Sequence, residues 1–377
     1  MKLQNFILFL LLSILLSCSK EEEIIMGPSD NAIYLTGEIT IDNALESDED
    51  QDIVVTAGSI ITFTADGILV AKGDLYVQGT EEDPVQFFGS QDVVNHRIIK
   101  GDWSSQNFII GHAEITDGLV TSTSKWNHIH DVTFVNTKPL IWSDALIRFW
   151  NSPILIEDCT MIGINRGDGI LVHDVEGPIV RNCVFYDTPD AVEYINCTNG
   201  IITGNKVYNS GDDGVDLNGC SDIEIRDNEF YGVKDRALEI GSESFGSSES
   251  ILIDNNLFVE CKIGVNLKDA SNALVKNCTF YNGSYVLEVT NEPGVDTPSI
   301  CQVESSVLVG SMGSNIHLEE NAEAIIMNSI SDLSIDLVET NNRVSEVNFV
   351  DPENSNFTIN EAQFPAGYNA SNIGYQR

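Results

Sequence analysis

The chain has 377 residues, with 58 acidic and 19 basic side chains and a formal net charge of −39 at pH 7. Such an acidic surface repels phosphate backbones and anionic lipid headgroups, which argues against nucleic acid as a partner and favours solubility or divalent cations. The length is ample for one large hydrophobic core.

The amino terminus predicts export. Lys2 precedes an apolar run at residues 6–16, which is too short to span a bilayer and is typical of a secretory signal. The sequence Leu15-Leu16-Ser17-Cys18 resembles the lipobox of bacterial lipoproteins. The resemblance implies that residues 1–17 are removed and that Cys18 is lipidated, so the lipid alone holds the protein on a membrane. An ordinary signal with an unrelated cysteine is the alternative.

Residues 18–31 predict a lipidated cysteine followed by an acidic tether. The stretch 19–23, Ser-Lys-Glu-Glu-Glu, is similar to the short tag that directs some lipoproteins of gram-negative bacteria to the outer face of the outer membrane. We therefore expect an outer-membrane lipoprotein that is exposed on the cell surface.

Residues 32–110 contain short alternating strands and two further motifs, Gly79 to Phe88 and Gly101-Asp102-Trp103. They resemble the opening coils of secreted and lipoprotein β-helix proteins. In the context of the Gly101-Asp102-Trp103 motif, Trp103 is expected to fill a turn.

A unit of about 22 to 27 residues repeats from Asp168 to Glu292. The first segment of each unit is a short strand in which inward and outward side chains alternate. These strands are Gly169–Val172, Ala191–Tyr194, Gly214–Leu217, Ala237–Ile240, Gly264–Leu267 and Val286–Val289. Each strand is too brief to bury its apolar face alone, so the copies are expected to stack into a solenoid.

A second strand follows each first one and ends in a turn with a recurrent pattern. One turn column contains Cys183, Asn205, Asn228, Asn256 and Cys278, and beside it runs an expected aromatic ladder of Phe185, Phe230, Phe258 and Phe280. The repeat is too short for a βαβ unit. The pattern predicts an all-β chain, a single-stranded right-handed parallel β-helix of the pectate-lyase-like kind.

The cysteines other than Cys18 mostly fall on repeat positions. Cys159, Cys183 and Cys278 lie in the turn column, while Cys197 and Cys220 both follow a first strand by three residues. We interpret them as small buried ladder residues, although coils about 4.8 Å apart would also allow a vertical disulfide.

The carboxyl terminus predicts a cap. Residues 348–377 resemble the closing segment of such helices, which covers the strand edges of the last coil. The expected division is a β-helix over residues 32–347 and a cap over 348–377.

Outward side chains at one strand position should form a vertical stripe. The stripe comprises Leu171, Glu193, Asp216, Glu239, Asn266 and Glu288, and the position two residues later contributes His173, Ile195, Asn218, Gly241, Lys268 and Thr290. Carboxylates at Glu193, Asp216 and Glu239 would lie about 5 to 10 Å apart, which suits calcium or acid–base work on a glycosidic bond. A solvated acidic face is the alternative. His173, Glu193, Glu239 and Asn266 are candidate substrate contacts.

Three segments resemble the active-site coils of polygalacturonase-type glycoside hydrolases: Gly211-Asp212-Asp213, Arg236 to Ser242, and Asn266 to Lys268. The resemblance implies that Asp190, Asp212 and Asp213 are catalytic carboxylates and that Lys268 contacts substrate, with Asp216 on the same coil as Asp212. The sequence departs from that family at Arg236, where a histidine is expected, and at Asn266, where an arginine is expected.

The same region, Gly211 to Ser271, also resembles β-helix modules of bacterial surface proteins, some of them associated with spore-coat-H-like kinases. That resemblance implies the fold and a surface location without a reaction. Within it, Lys268 is expected either to pair with Glu239 on the neighbouring coil or to act as a base.

A tryptophan and a pair of histidines are further candidates for ligand binding. Trp150 is the expected exposed platform for a sugar ring. His128 and His130 share one strand face and supply two metal ligands without a third.

Two functions remain open from the sequence. The preferred one is a monomeric surface module that binds extracellular polysaccharide without catalysis. The alternative is a polysaccharide hydrolase or lyase that uses Asp190, Asp212, Asp213, Asp216 and Lys268. In either case Glu193, Asp216 and Glu239 would be the calcium ligands, if calcium is a cofactor.

Overall fold

The computed structural model describes residues 28–138, 144–291, 295–310, 316–332, 342–344, 346–360 and 373–376. Cys18 and the predicted signal lie outside these ranges. None of the described residues forms a helix long and apolar enough to span a membrane.

The chain winds into a parallel β-helix, as predicted. Each regular coil gives one strand to a twelve-stranded sheet and two strands to a larger sheet that bends between them. The coils therefore have three sides, here called row one, row two and row three in chain order within a coil. Neighbouring coils pair in parallel along every row.

Row one contains β1 (Ile33–Leu35), β4 (Ile53–Thr56), β7 (Leu75–Gln78), β14 (Ile154–Glu157), β17 (Ile179–Arg181), β20 (Ile201–Thr203), β23 (Glu224–Arg226), β26 (Ile251–Asp254), β29 (Asn272–Lys276), β32 (Ser299–Glu304) and β35 (Ala322–Met327). Row two contains β2 (Glu38–Ile41), β5 (Ile60–Phe63), β8 (Val85–Phe88), β15 (Thr160–Ile162), β18 (Val184–Tyr186), β21 (Lys206–Tyr208), β24 (Glu229–Tyr231), β27 (Leu257–Val259), β30 (Thr279–Gly283), β33 (Val307–Gly310), β36 (Ile330–Ser331) and β37 (Arg343–Val344). Two longer strands, β10 (Asn107–Thr116) and β12 (Trp126–Val135), run through both rows.

Row three contains β3 (Ala44–Glu46), β6 (Ile68–Ala71), β9 (Arg97–Gly101), β11 (Leu119–Ser122), β13 (Ala145–Trp150), β16 (Asp168–His173), β19 (Val192–Ile195), β22 (Val215–Asn218), β25 (Arg236–Ile240), β28 (Ile263–Leu267), β31 (Tyr285–Val289) and β34 (Ile316–Leu318). Outside the helix, β38 (Phe349–Asp351) and β39 (Asn356–Ile359) form an antiparallel hairpin joined by a 3-10 turn at Pro352–Asn354.

Alternation along row three places the hydrophobic side chains inside. The predicted inward positions are all buried: Ile170, Val192, Val215, Leu238, Val265 and Leu287. The predicted outward stripe is also in register, since Glu193 pairs with Asp216 and Asp216 with Glu239 on successive coils. A shift of one residue would have exchanged inside for outside, so the register prediction is confirmed.

The turn after row one contains the predicted asparagine column. Asn228 Oδ1 accepts hydrogen bonds from the backbone amide of Asn205 at 2.9 Å and from Asn205 Nδ2 at 3.0 Å. Asn228 Nδ2 in turn donates to the carbonyl of Ile202 at 2.9 Å. Asn228 Nδ2 also donates to Asn256 Oδ1 on the following coil at 3.0 Å, so the side chain bonds the coils on both sides of it and the turn amides are satisfied without water.

The aromatic ladder is shorter than predicted. Phe230, Phe258 and Phe280 stack with ring centroids 5.2 and 4.5 Å apart. Val207 lies between Phe185 and Phe230 in the register, so Phe185 does not join the stack.

The cysteines at 159, 183, 197, 220, 261, 278 and 301 are all buried and unpaired, which confirms their interpretation as ladder residues.

The closing hairpin lies in an unexpected place. Phe349 and Phe357 pack on Tyr281 at centroid distances of 5.5 and 5.4 Å, in a cluster with the outward side chains of Leu257 and Val307. The hairpin therefore covers the side of several coils in row two, whereas the sequence predicted that this segment covers the edge of the last coil. The physical reason is an apolar outer stripe on row two, which needs cover from water.

Candidate functional site

The outer face of row three contains a dense group of ionisable side chains in the middle of the helix. The predicted residues Glu193, Asp216 and Glu239 lie there on consecutive coils. Glu239 and Asn266 are buried, whereas Glu193 and Asp216 are partly exposed. The face is thus less solvated than a simple acidic surface would be.

A second column of carboxylates lies just before the row three strands, at Asp168, Asp190 and Asp213. Asp190 Oδ1 accepts the backbone amide of Asp213 at 2.9 Å. Asp213 Oδ1 accepts the backbone amide of Arg236 at 3.0 Å. Each carboxyl group therefore bonds to the next coil, which fixes its position against the stripe.

A small residue follows each of these aspartates, because the chain turns tightly there. A Cβ atom on Gly214 would lie 2.7 Å from the ring of Phe230 and 2.5 Å from the carbonyl oxygen of Ala237. The pair of an aspartate and a glycine or alanine is thus a sequence signal for this column, and it would have identified Asp168, which the sequence analysis missed.

The carboxyl groups form two sets in which one oxygen of each residue lies within 4.8 Å of the others. One set is Asp168, Asp190 and Glu193, and the other is Asp213, Asp216 and Glu239. The predicted calcium ligands Glu193, Asp216 and Glu239 do not form one such set among the described residues, because Glu193 and Glu239 are separated by two coils. A cation at the stripe would therefore bind one of these two separate sets, and a third carboxylate set, Asp212, Asp213 and Asp235, lies at the edge of the face.

Burial raises the pKa of several of these carboxyl groups. Burial raises the pKa of Asp190 to about 7, and the charge of Glu193 adds to the shift. Burial also raises the pKa of Asp213 and Asp216 well above the usual range, with a contribution from the Asp190 charge in both. The pKa of Asp168 is raised for the same reasons. Close carboxylates in a poorly hydrated site cannot all ionise together.

Asn218 connects the two sets and was not predicted as a functional residue. Its Nδ2 donates to Asp216 Oδ2 at 2.7 Å and to Glu193 Oε1 at 3.2 Å. Asp216 Oδ1 is buried without a hydrogen-bond partner among the described residues. Asn218 therefore holds one oxygen of Asp216 in place, while the other is buried without a hydrogen bond.

Glu239 lies between two cations. Arg236 Nη1 is 2.6 Å from Glu239 Oε2, and the ammonium group of Lys268 contacts Glu239 Oε1. The predicted ion pair between Lys268 and Glu239 is thus confirmed. Burial lowers the pKa of Lys268, but the hydrogen bond and charge of Glu239 outweigh it and the pKa is raised. Because a catalytic base needs a lowered pKa, the structure argues against that role for Lys268.

Asp212 is on the edge of the site. It is grouped with Asp213 and Asp235, and Lys262 binds Asp235 at 2.5 Å. Burial raises the pKa of Asp212. Asp212 therefore adds negative charge beside Asp213 and stands apart from Asp216.

The aromatic candidates are arranged differently from the prediction. Trp150 is partly buried beside His173, with the guanidinium of Arg148 4.5 Å above its ring. Trp103, which was expected to fill a turn, is 69% exposed. Arg148 already occupies one face of Trp150, so Trp103 offers the more open ring.

The stacked coils and their columns define the class of right-handed parallel β-helices. The chain belongs to the family described as the right handed beta helix region, whose model matches residues 117–263 and 190–331. No curated protein sequence matches the chain.

Two solved structures have a similar fold. One is a double mutant of the periplasmic alginate epimerase AlgG, with a TM-score of 0.54, 12% identity and coverage of 80% of this chain and 79% of that chain. The other is the catalytic unit of the thermostable GH87 alpha-1,3-glucanase from Streptomyces thermodiastaticus strain HF3-3, with a TM-score of 0.51 and 13% identity. The second match covers 83% of this chain and 58% of that chain. At these identities the similarity shows the fold alone.

Proposed function

We propose that the chain binds a carbohydrate polymer on the outer face of row three and hydrolyses its glycosidic bonds there. The observation that supports this most directly is the pair of Asp190 and Asp216. The two carboxyl groups belong to adjacent coils, burial raises both pKa values, and the charge of Asp190 adds to the shift of Asp216. Neighbouring carboxyl groups in different surroundings are what acid and base catalysis of glycoside hydrolysis uses.

The roles follow from the surroundings of each group. Burial raises the pKa of Asp216 well above the usual range, which favours its protonated form, so we assign it the role of the general acid that protonates the leaving glycosidic oxygen. Asp190 titrates at about 7 and is the carboxylate that activates water or attacks the sugar. The ion pairs of Glu239 with Arg236 and Lys268 fix these side chains in place on the same face.

A neutral polymer fits this face better than a uronic one. Two cations of this face, Arg236 and Lys268, are both bound to Glu239. The formal charge of −39 repels polyanions as a whole. Binding of a polyuronate would therefore require a bridging cation such as calcium at one of the two carboxylate sets.

A second candidate is a non-catalytic module that binds carbohydrate at the same face. The observation that favours it is Arg236, which occupies the position where the polygalacturonase resemblance has a histidine and which forms ion pairs within the site. In this case Trp150, which ends a row three strand beside His173, supplies a stacking surface and the carboxyl groups only accept hydrogen bonds from sugar hydroxyls.

The proposed location is the outer face of the outer membrane, with a lipid on Cys18. Cys18→Ser should move the protein from the membrane fraction to the soluble fraction. Alanines at positions 20–23 should leave it lipidated but facing the periplasm, so that protease added to intact cells no longer degrades it. Continued degradation would exclude the tag at these positions.

The experiment that separates the two candidates is a screen of purified protein against neutral and uronic polysaccharides, with and without calcium. Retention measures binding, and new reducing ends or unsaturated products measure cleavage. Cleavage that Asp216→Asn abolishes would support the hydrolase. Retention without products, unchanged in Asp216→Asn and reduced in Trp150→Ala, would support the binding module.

A further inference from the structure

A group of histidines lies at the bend of β10 and β12, away from the acidic face of row three. Three of the six histidines of the chain are here: His112, His128 and His130. The sequence placed His128 and His130 on one strand face. The structure adds His112 from the neighbouring coil.

The bend brings the side chains together. His112 and Asp131 occupy equivalent positions on adjacent coils, because Gly111 pairs with His130 and Ala113 with Val132 on either side of them. Both residues have positive φ, 47° and 54°, which turns their side chains outward at the corner of the coil.

The contacts within the group are short. His130 Nδ1 is 2.9 Å from Asp131 Oδ2, and His112 Nε2 is 3.8 Å from the same oxygen. The rings of His112 and His130 are edge to face with centroids 5.6 Å apart. One nitrogen of each histidine and one oxygen of Asp131 all lie within 4.8 Å of one another.

The backbone makes room for this arrangement. A Cβ atom on Gly111 would lie 2.5 Å from Nε2 of His130, so any other residue would push the ring away. His128 is engaged elsewhere: its Nε2 is 2.9 Å from Glu157, which also binds Arg181.

We propose that His112, His130 and Asp131 bind one divalent transition-metal ion, with zinc as the best fit. Two imidazole nitrogens and a carboxylate oxygen are the ligands that zinc takes in sites with three protein ligands. Calcium and magnesium prefer sets made of oxygen alone, so this set selects against them.

The fourth position of the metal faces a groove. The groove has a volume of about 460 Å³ and is lined by Glu81, Glu114 and Asp158 as well as by two of the proposed ligands, His112 and Asp131. The side chains of His112, His130 and Asp131 are 35%, 27% and 45% exposed, so an ion reaches them from solvent. The open position would hold water or a small ligand from the groove.

Zinc binding to the purified full-length chain tests the proposal, with the metal alone as the probe. Calorimetry after chelator treatment, in excess magnesium and calcium, should show one tightly bound zinc ion per chain. Cobalt at the same site should give the visible absorption of a tetrahedral centre. His112→Ala and His130→Ala should each weaken zinc binding at least about 100-fold, since each removes a ligand.

The controls make the result specific. His317→Ala removes an exposed histidine on row three and should bind zinc as the wild type does. If an alanine variant of a ligand histidine fails to fold, Asp131→Asn decides, because asparagine tolerates positive φ and loses the charge. The proposal would be overturned if the wild type bound zinc no more tightly than exposed carboxylates do. Equal zinc affinity in the wild type and the histidine variants would also overturn it.

Discussion

The ammonium group of Lys268 contacts the carboxylate of Glu239 across two adjacent coils of row three. Only 25% of the Lys268 side chain and 8% of the Glu239 side chain are exposed, so the pair is weakly screened by water. Arg236 approaches Glu239 from the other side.

Lys268→Ala should destabilise the fold by about 1.5 to 3 kcal/mol, the usual contribution of a hydrogen bond to a charged group. Urea denaturation measures the loss. The matched control is Lys276→Ala, whose ion pair with Asp254 at 3.1 Å is more exposed and should cost less than about 1 kcal/mol. Equal losses in the two variants would show that the Lys268 pair is only a surface contact.

Asp190 should make stability depend on pH. Its folded pKa is about 7, above the ordinary value of 3.8, so the folded state binds the proton more tightly than the unfolded state. The contribution of Asp190 to stability is therefore complete below about pH 4 and is lost as the pH rises towards 7. As the pH rises from about 4 to 7, the wild type should therefore lose stability relative to Asp190→Asn. Above that interval the difference between the two proteins should stay constant.

The check is the urea midpoint of both proteins between pH 4 and 8. Asp222→Asn, at an exposed turn with positive φ, serves as the control and should follow wild type. A difference between Asp190→Asn and wild type that does not change with pH would mean that Asp190 is ionised throughout.

The fold and the outward stripe could be predicted because they depend on local alternation. Gly214–Leu217 and its equivalents repeat the same pattern of small and apolar residues, and stacking then fixes Asp216 over Glu239. The turn column that contains Asn228 could be predicted for the same reason, since each coil has one turn of the same length.

Other parts of the site depend on contacts that no local pattern specifies. The contact of His112 with His130 joins residues from two long strands outside the clearest repeats. The exposure of Trp103 and the lateral position of Phe349 depend on which outer surfaces the rest of the chain covers. The raised pKa of Asp216 requires the burial and neighbouring charges of three coils.

Phe230→Ala should destabilise the fold by about 3 to 5 kcal/mol, the cost of removing a buried aromatic ring from a packed core. Phe230 is 1% exposed and stacks on Phe258 on one side, with Val207 on the other. Chemical denaturation measures the loss, and Phe88→Ala, whose side chain is 37% exposed, should cost much less. An unchanged midpoint for the Phe230 variant would remove the role of the ladder in stability.

Asn228→Ala should cost about 1 to 3 kcal/mol, because it leaves the amide of Asn205 without its acceptor in a buried turn. Asn228→Ser should recover part of the loss. Serines already occupy equivalent turn positions near the carboxyl end, where Ser306 accepts the amide of Cys278 and Ser329 accepts that of Ser306. Identical denaturation midpoints for the serine and alanine variants would show that the acceptor is unimportant.

We propose that Asp216 and Asp190 act as acid and base on a glycosidic bond at the outer face of row three. The most direct test is the rate of reducing-end formation on a neutral polysaccharide that the protein retains, compared among wild type, Asp216→Asn and the Asp222→Asn control. We predict that Asp216→Asn lowers the rate at least about 100-fold, that Asp222→Asn leaves it unchanged, and that wild-type activity falls as the pH drops below the Asp190 pKa of about 7. Turnover by Asp216→Asn at the wild-type rate, or retention of the polymer by wild type without any reducing ends, would contradict the claim.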